Sequence, residues 1–276
     1  MANTNDDTPA ALDSKKNVRN LKLTIAYDGF EFAGWQVQPG RSTVQGALAS
    51  AIGRLSGENV LPQGSGRTDA GVHALAQVAS FSTVSSIPIE NWKKALNDTL
   101  PSSIRVLDVT QAALDFHARK SAQAKTYRYR VFRGDVCPPF LARYAWHYPY
   151  PLDEPAMAAA AGVVQGEHDF TSFAAVDPER LDRMAAEQSI VTDVQTTNVR
   201  TIFSSTWTRE GEELIYTVRG GGFLHHMVRN LVGTFVLVGK GTLGTSDVVG
   251  ILEARKRSAA GPTAPATGLY LVEVEY

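Results

Sequence analysis

Gly64-Ser65-Gly66-Arg67-Thr68-Asp69-Ala70-Gly71-Val72-His73 is the stretch on which the reading of this chain turns. It puts one carboxylate, Asp69, two residues after a guanidinium, Arg67, between glycines. Leu61-Pro62-Gln63 before it has loop composition, and Ala76 to Phe81 after it has that of an apolar strand. An acid on a Gly-rich loop beside a permanent cation stays ionised and reachable. A nucleophile or general base needs both properties. By itself Arg-x-Asp also describes a turn or a solvated ion pair, so the rest of the chain decides.

Working outward, Leu21 to Tyr27 alternates as a strand and is ended by Asp28-Gly29. Ser42-Thr43-Val44-Gln45 opens a helix by a capping-box pattern, and Gly57 closes it. Glu90 to Leu100 reads as a helix stopped by Pro101, and Ile104 to Val109 as a strand. The second half gives a strand from Lys125 to Phe132, an Ala-rich helix from Asp153 to Val164, and a hairpin of Val199 to Trp207 with Leu214 to Arg219. A long helix from Phe223 to Val238 follows, then a helix from Thr245 to Lys256 and a closing strand from Gly268 to Tyr276. Hairpins and surplus strands predict an α+β fold of antiparallel sheets with helices on one face. The order of elements divides the chain into a disordered tail (1–20), an N-terminal half carrying the Asp loop (21–118) and a C-terminal half (119–276).

The 276 residues, 43% hydrophobic and 20% charged, suit a soluble globular protein. No apolar run is long enough to span a bilayer, and the polar N-terminus is no signal peptide. The single cysteine, Cys137, fits a reducing cytoplasm. Net charge is −1, yet Arg119 to Arg133 holds six basic residues and no acid, so one face can still be positive. Nucleotide-cofactor loops, zinc-ligand spacings and the G-x-S-x-G elbow do not occur. His225 and His226, placed side by side on the predicted helix, are expected to diverge and not to form a ligand pair. No metal or organic cofactor is expected.

Period two puts Lys125, Tyr127, Tyr129 and Val131 on one face of their strand and Arg128 and Arg130 on the other. Interleaved rings and cations suit RNA, and they equally suit an ordinary sheet with core tyrosines. Phe116-His117-Ala118-Arg119-Lys120 leads in with more donors. Arg229 sits beside the apolar stripe of its helix. It must either snorkel or meet a buried carboxylate, for which Asp69 is a candidate.

Eight segments occur together in order. They are Ile25 to Gly29 with Gly34-Trp35-Gln36; Thr43 to Gly46; Gly66 to Ala74; Phe116 to Arg119; Lys125 to Tyr129; His168 to Phe173; Gly222 to Arg229; and Pro265-Ala266 with Gly268 to Leu271. In these the chain resembles the bacterial tRNA pseudouridine synthase A family along nearly its whole length after the tail. The resemblance implies two similar sheet-bearing halves around a cleft. It implies isomerisation of uridine to pseudouridine at positions 38, 39 and 40 of the tRNA anticodon stem-loop by a homodimer. Carried over residue by residue, it makes Asp69 the catalytic carboxylate and Arg229 its counter-ion. Tyr127 and Leu269 flank the displaced uracil, and Arg67 holds the nucleotide outside the stem. Phe116, His117, Ala118, Arg119, Lys120, Arg128 and Arg200 are the expected RNA contacts. Val176 to Thr192 departs from the family pattern, being longer and more acidic. The competing readings are a synthase for another RNA site and a non-catalytic RNA-binding protein.

Overall fold

In the computed structural model, residues 18–175 and 197–276 are described. The 176–192 departure lies outside them, as does most of the predicted tail. Ten strands and five α-helices occur among the described residues. The strands are β1 (Arg19–Tyr27), β2 (Gln63–Gly64), β3 (His73–Thr83), β4 (Ile104–Ala112), β5 (Ala124–Phe132), β6 (Trp146–His147), β7 (Gly166–Asp169), β8 (Val199–Glu210), β9 (Glu213–Gly220) and β10 (Leu269–Glu275). The helices are α1 (Val44–Ser56), α2 (Ile89–Thr99), α3 (Glu154–Val163), α4 (Met227–Gly239) and α5 (Thr245–Ala254).

The expected α+β class holds, with two antiparallel halves fused into one sheet. Its order is β4-β1-β3-β10-β5-β9-β8-β7. On one side β1 pairs antiparallel with β3 and β4; on the other, β5 pairs antiparallel with β10 and β9. The seam is the parallel pairing of Tyr270 with His73 and Leu271 with Ala74. The closing strand thus lies at mid-sheet, between elements some 200 residues before it and some 140 before it (differences of Leu269 from His73 and from Tyr129).

Local chemistry explains the elements. Thr43 caps α1 by accepting the Gly46 N–H, and Gly57 ends it in the left-handed conformation. Asp153 caps α3 by accepting the Ala156 N–H. On β1, Leu21, Leu23, Ile25 and Tyr27 are buried at every second position. Across the other half, Tyr129, Tyr216 and Trp207 form one cross-strand row. Phe235 of α4 packs on it edge-on, 5.3 Å from the Tyr216 ring. One continuous apolar core runs under both halves. No helix among the described residues is long and apolar enough to cross a membrane.

Two boundaries differ from expectation. Residues 19 and 20, assigned to the tail, begin β1, because the buried Asn20 amide donates to the Ala113 and Phe116 carbonyls at 2.8 Å. The long helix starts at Met227 and not at Phe223, because His226 adopts a left-handed φ of 59° that stops it from extending backwards.

The Asp69 loop is gripped from behind by the segment after β1. The Trp35 N–H donates to the Thr68 carbonyl at 3.0 Å, and Tyr27 Oη shares a hydrogen bond with Thr68 Oγ1 at 2.8 Å. Gly34 has φ 94°, and a Cβ there would lie 2.5 Å from the Thr68 carbonyl oxygen. Position 34 therefore tolerates only glycine, on both conformational and contact grounds. We expect Gly34→Ala to destabilise the protein by about 1–3 kcal/mol, read as a lower urea midpoint. An unchanged midpoint would show that the contact relaxes without cost.

Candidate active site

Asp69 sits where three segments meet. The first is its own loop, pinned underneath: the Ser65 N–H donates to the Val78 carbonyl at 2.7 Å, and the buried Gln77 amide donates to the Gly66 carbonyl at 2.9 Å. The second is the first turn of α4, from which Arg229 Nη1 donates to Asp69 Oδ2 at 2.8 Å. The third is the irregular segment before β10, whose Ala264 carbonyl accepts from Arg229 Nε at 2.8 Å and so aims the guanidinium. Of the two readings left open for Arg229, the buried carboxylate is therefore the observed one. Both side chains keep some solvent, 14% for Arg229 and 18% for Asp69.

His225 and His226 also face Asp69. Their Nε2 atoms lie 3.6 Å from Oδ1 and 3.3 Å from Oδ2, and their rings stack at 3.9 Å. The expectation that they diverge is corrected: both precede α4, so helical geometry does not separate them, and the left-handed turn at His226 folds its ring back. Burial is the largest influence on His226 and lowers its pKa; Asp69 opposes this, and His225, Arg229 and Arg257 reinforce it. The His226 ring is thus neutral at pH 7. Asp69, His225 and His226 each place a ligand atom within 4.8 Å of the others, the only such group of metal-binding side chains among the described residues.

Asp69, His225 and His226 line a cavity of about 680 Å³. Tyr127 and Leu269 lie in its wall with Phe223, whose ring meets that of Tyr127 edge-on at 5.0 Å. Burial, with smaller contributions from Tyr27 and Asp69, raises the Tyr127 pKa, so its phenol stays protonated. Arg41, Arg67, Arg119 and Lys125 supply positive charge to the same cavity. A protected anion, two flat or apolar walls and a basic rim can accept one planar base with its sugar, leaving phosphates to the rim.

The expected RNA contacts do not gather in one place. Arg119 lines the cavity. Lys120 beside it is exposed. His117 accepts the Arg119 and Lys120 N–H groups and shapes that turn. Phe116 instead packs on Tyr276 at 4.9 Å. Ala118 is fully buried, its N–H donating to Ser80 Oγ, so it presents no surface. Arg128 emerges opposite Tyr127 and lies outside the cavity lining. Arg200 donates to the Thr197 and Val199 carbonyls and lies against Gly222. Arg130, also of the basic stretch, is held by Glu213 in a two-bond pair of 2.6 and 2.7 Å. Lys125 and the His225-His226 pair line the site without being among the residues expected there. Lys125 was already placed on the Tyr127 face, and the glycine run ahead of the histidines was the available sign of an irregular approach.

Removing Arg229 leaves Asp69 charged in a half-dry pocket. We expect Arg229→Gln to cost about 2–3 kcal/mol of stability, less than a fully buried pair would, as measured by denaturant unfolding. Unaltered stability would mean that solvent already screens the pair.

Residues 23–119 and 160–276 match the family model described as tRNA pseudouridine synthase. Among curated relatives, tRNA pseudouridine synthase A of Solibacter usitatus is 51% identical over 259 residues, covering 94% of this chain and 100% of the relative. The proteins of that name from Moorella thermoacetica and Brevibacillus brevis are 47% and 44% identical. They cover 93% and 94% of this chain and 99% and 100% of their own length.

Proposed function

The chain belongs to the tRNA pseudouridine synthase family, and from that premise we propose that it converts uridine to pseudouridine at positions 38, 39 and 40 of the tRNA anticodon arm. It is an isomerase. The carrying observation is the Asp69 carboxylate, fixed by Arg229 at 2.8 Å inside a basic-rimmed cavity walled by Tyr127 and Leu269.

The reaction breaks the bond between C1′ and N1 and turns the uracil. It then forms a bond from C1′ to C5, moving the C5 hydrogen off as a proton while N1 regains one. Atoms and oxidation state are conserved, so side chains can carry it without an oxidant or group donor. Asp69 is the catalytic residue in this proposal. It acts by attack on the sugar, by attack on the ring, or by assisting elimination across the sugar. Arg229 donates to it and balances its charge as the base displaces water. Taking the uridine out of the stack costs a few kcal/mol. Contact with the Tyr127 ring on one side and Leu269 on the other offsets that cost. Arg67 and Arg119 hold the RNA at the rim. The proposal extends to a cytoplasmic homodimer, the state that the family resemblance implies.

Replacing Asp69 by Asn keeps shape and removes charge. Asp69→Asn should retain tRNA binding and lose at least about a hundredfold in turnover, followed as tritium released from C5-labelled uridine in tRNA. Wild-type release rates in the variant would remove Asp69 from the chemistry. Pseudouridine mapping in a deletion strain tests the substrate, and unchanged anticodon arms would refute the assigned site.

A further inference from the structure

Lys125, the second residue of β5, points to the Tyr127 face and runs beneath the Asp69 loop. Its Nζ donates to the Ser65 carbonyl at 2.6 Å. It lies so close to Gly66 that a Cβ there would meet it at 3.1 Å. An ammonium has three N–H donors, and the Ser65 carbonyl accepts one of them. Burial, and then the positive charge of Arg119, push the Lys125 pKa down to about 8. Among the described residues, the other charged or titratable groups around the cavity are Arg41, Arg67 and Asp69 from the loops, His225 and His226 ahead of α4, and Tyr127 on the same strand. Asp69, the carboxylate among these lining groups, is engaged by Arg229. Among the described residues, a half-buried ammonium beside another cation is an arrangement that a bound anion relieves.

Resting on the isomerase reading of this cavity, we infer that Lys125 is an anion subsite that takes a phosphate oxygen of the RNA backbone next to the nucleotide entering the cavity. Two residues of strand span about 6.6 Å. That spacing separates the Cα atoms of Lys125 and Tyr127, and both side chains line the same cavity, so a nucleotide seated on the Tyr127 ring brings its backbone within the lysine's reach. A phosphodiester supplies negative charge and can accept the further N–H donors of the ammonium. Because the same ammonium grips the Ser65 carbonyl, engaging the phosphate also fixes the loop that carries Asp69. Lys125 thus binds the substrate and positions the carboxylate at once.

The test is the binding of an anticodon-arm RNA across a range of salt concentrations, for wild type, Lys125→Gln and Lys125→Arg. Losing one phosphate contact should reduce the slope of log affinity against log salt by about 0.7–0.9 in Lys125→Gln, while Lys125→Arg keeps the wild-type slope. RNA with a neutral methylphosphonate beside the target uridine should reproduce the loss on wild type and add nothing to Lys125→Gln. The pH dependence follows from linkage. A bound phosphate raises the lysine pKa above its free value of about 8. The contribution to affinity is therefore complete below that pH and is lost as pH rises through the bound value. Wild type should weaken several-fold between about pH 7 and 9.5, and Lys125→Arg should not.

A Lys125→Gln slope equal to wild type, with methylphosphonates silent, would reduce Lys125 to a loop staple and overturn the subsite. Competition by inorganic phosphate with an unmoved RNA slope would assign a free-anion site and overturn it too. If Lys125→Gln does not fold, the methylphosphonate arm on wild type decides alone. Wild-type pseudouridine formation on the same RNA is scored separately. Turnover with a silent Lys125 defeats only the subsite, and absence of turnover defeats the isomerase reading whatever the slope.

Discussion

The hydrogen-bonded ion pair between Arg229 and Asp69 joins residues 160 positions apart, and the rest of the site is arranged around it. At 2.8 Å in a half-dry setting its Coulombic attraction is far stronger than at the surface, and so is the penalty for holding either charge alone. Both ends are therefore fixed by their own supports. The carboxylate loop leans on Trp35 and Tyr27 through Thr68, and the guanidinium leans on the Ala264 carbonyl. Two imidazoles face the same carboxylate, at 3.6 and 3.3 Å, from the side of the cavity wall. One of them, His226, is held neutral by burial, so it adds no competing positive charge at pH 7.

The pleat of β5 then sorts the basic stretch into separate tasks. Alternate residues face opposite sides of a sheet, so Lys125 and Tyr127 reach the cavity while Arg128 and Arg130 do not. Arg130 is neutralised by Glu213. Arg133 has a largely buried side chain near Glu154 at 3.9 Å. A run that looks uniformly cationic along the chain thus becomes partly structural once the strand is laid into its sheet. The net charge of −1 is compatible with a basic cavity for the same reason.

Most elements could be read from the chain because their signals are local. Thr43 and Gly57 bracket α1, alternation marks β1, and the rings of β5 mark its buried face. The partnership of Arg229 with Asp69 was legible only as an open alternative, since an arginine beside an apolar stripe needs an anion or an exit to water. What the chain did not disclose depends on distant contacts or on unusual backbone. The left-handed turn at His226 shortens α4 and gathers two histidines that a regular helix would separate. Burial of Ala118 comes from packing against Ser80, which no window around Ala118 contains. Fusion of two sheets into one rests on two parallel pairs at Tyr270 and Leu271, too few to leave a mark in the sequence.

That central position of β10 has a consequence for biosynthesis. During translation β1, β3 and β4 can pair as soon as they emerge, and so can β5, β8 and β9, but each group then exposes an unpaired edge where β10 belongs. Such an edge is sticky toward other nascent chains. Leu269, which completes the cavity wall, arrives on that same late segment. A product cut short before Leu269 would therefore lack both the strand that joins the two halves and one wall of the pocket.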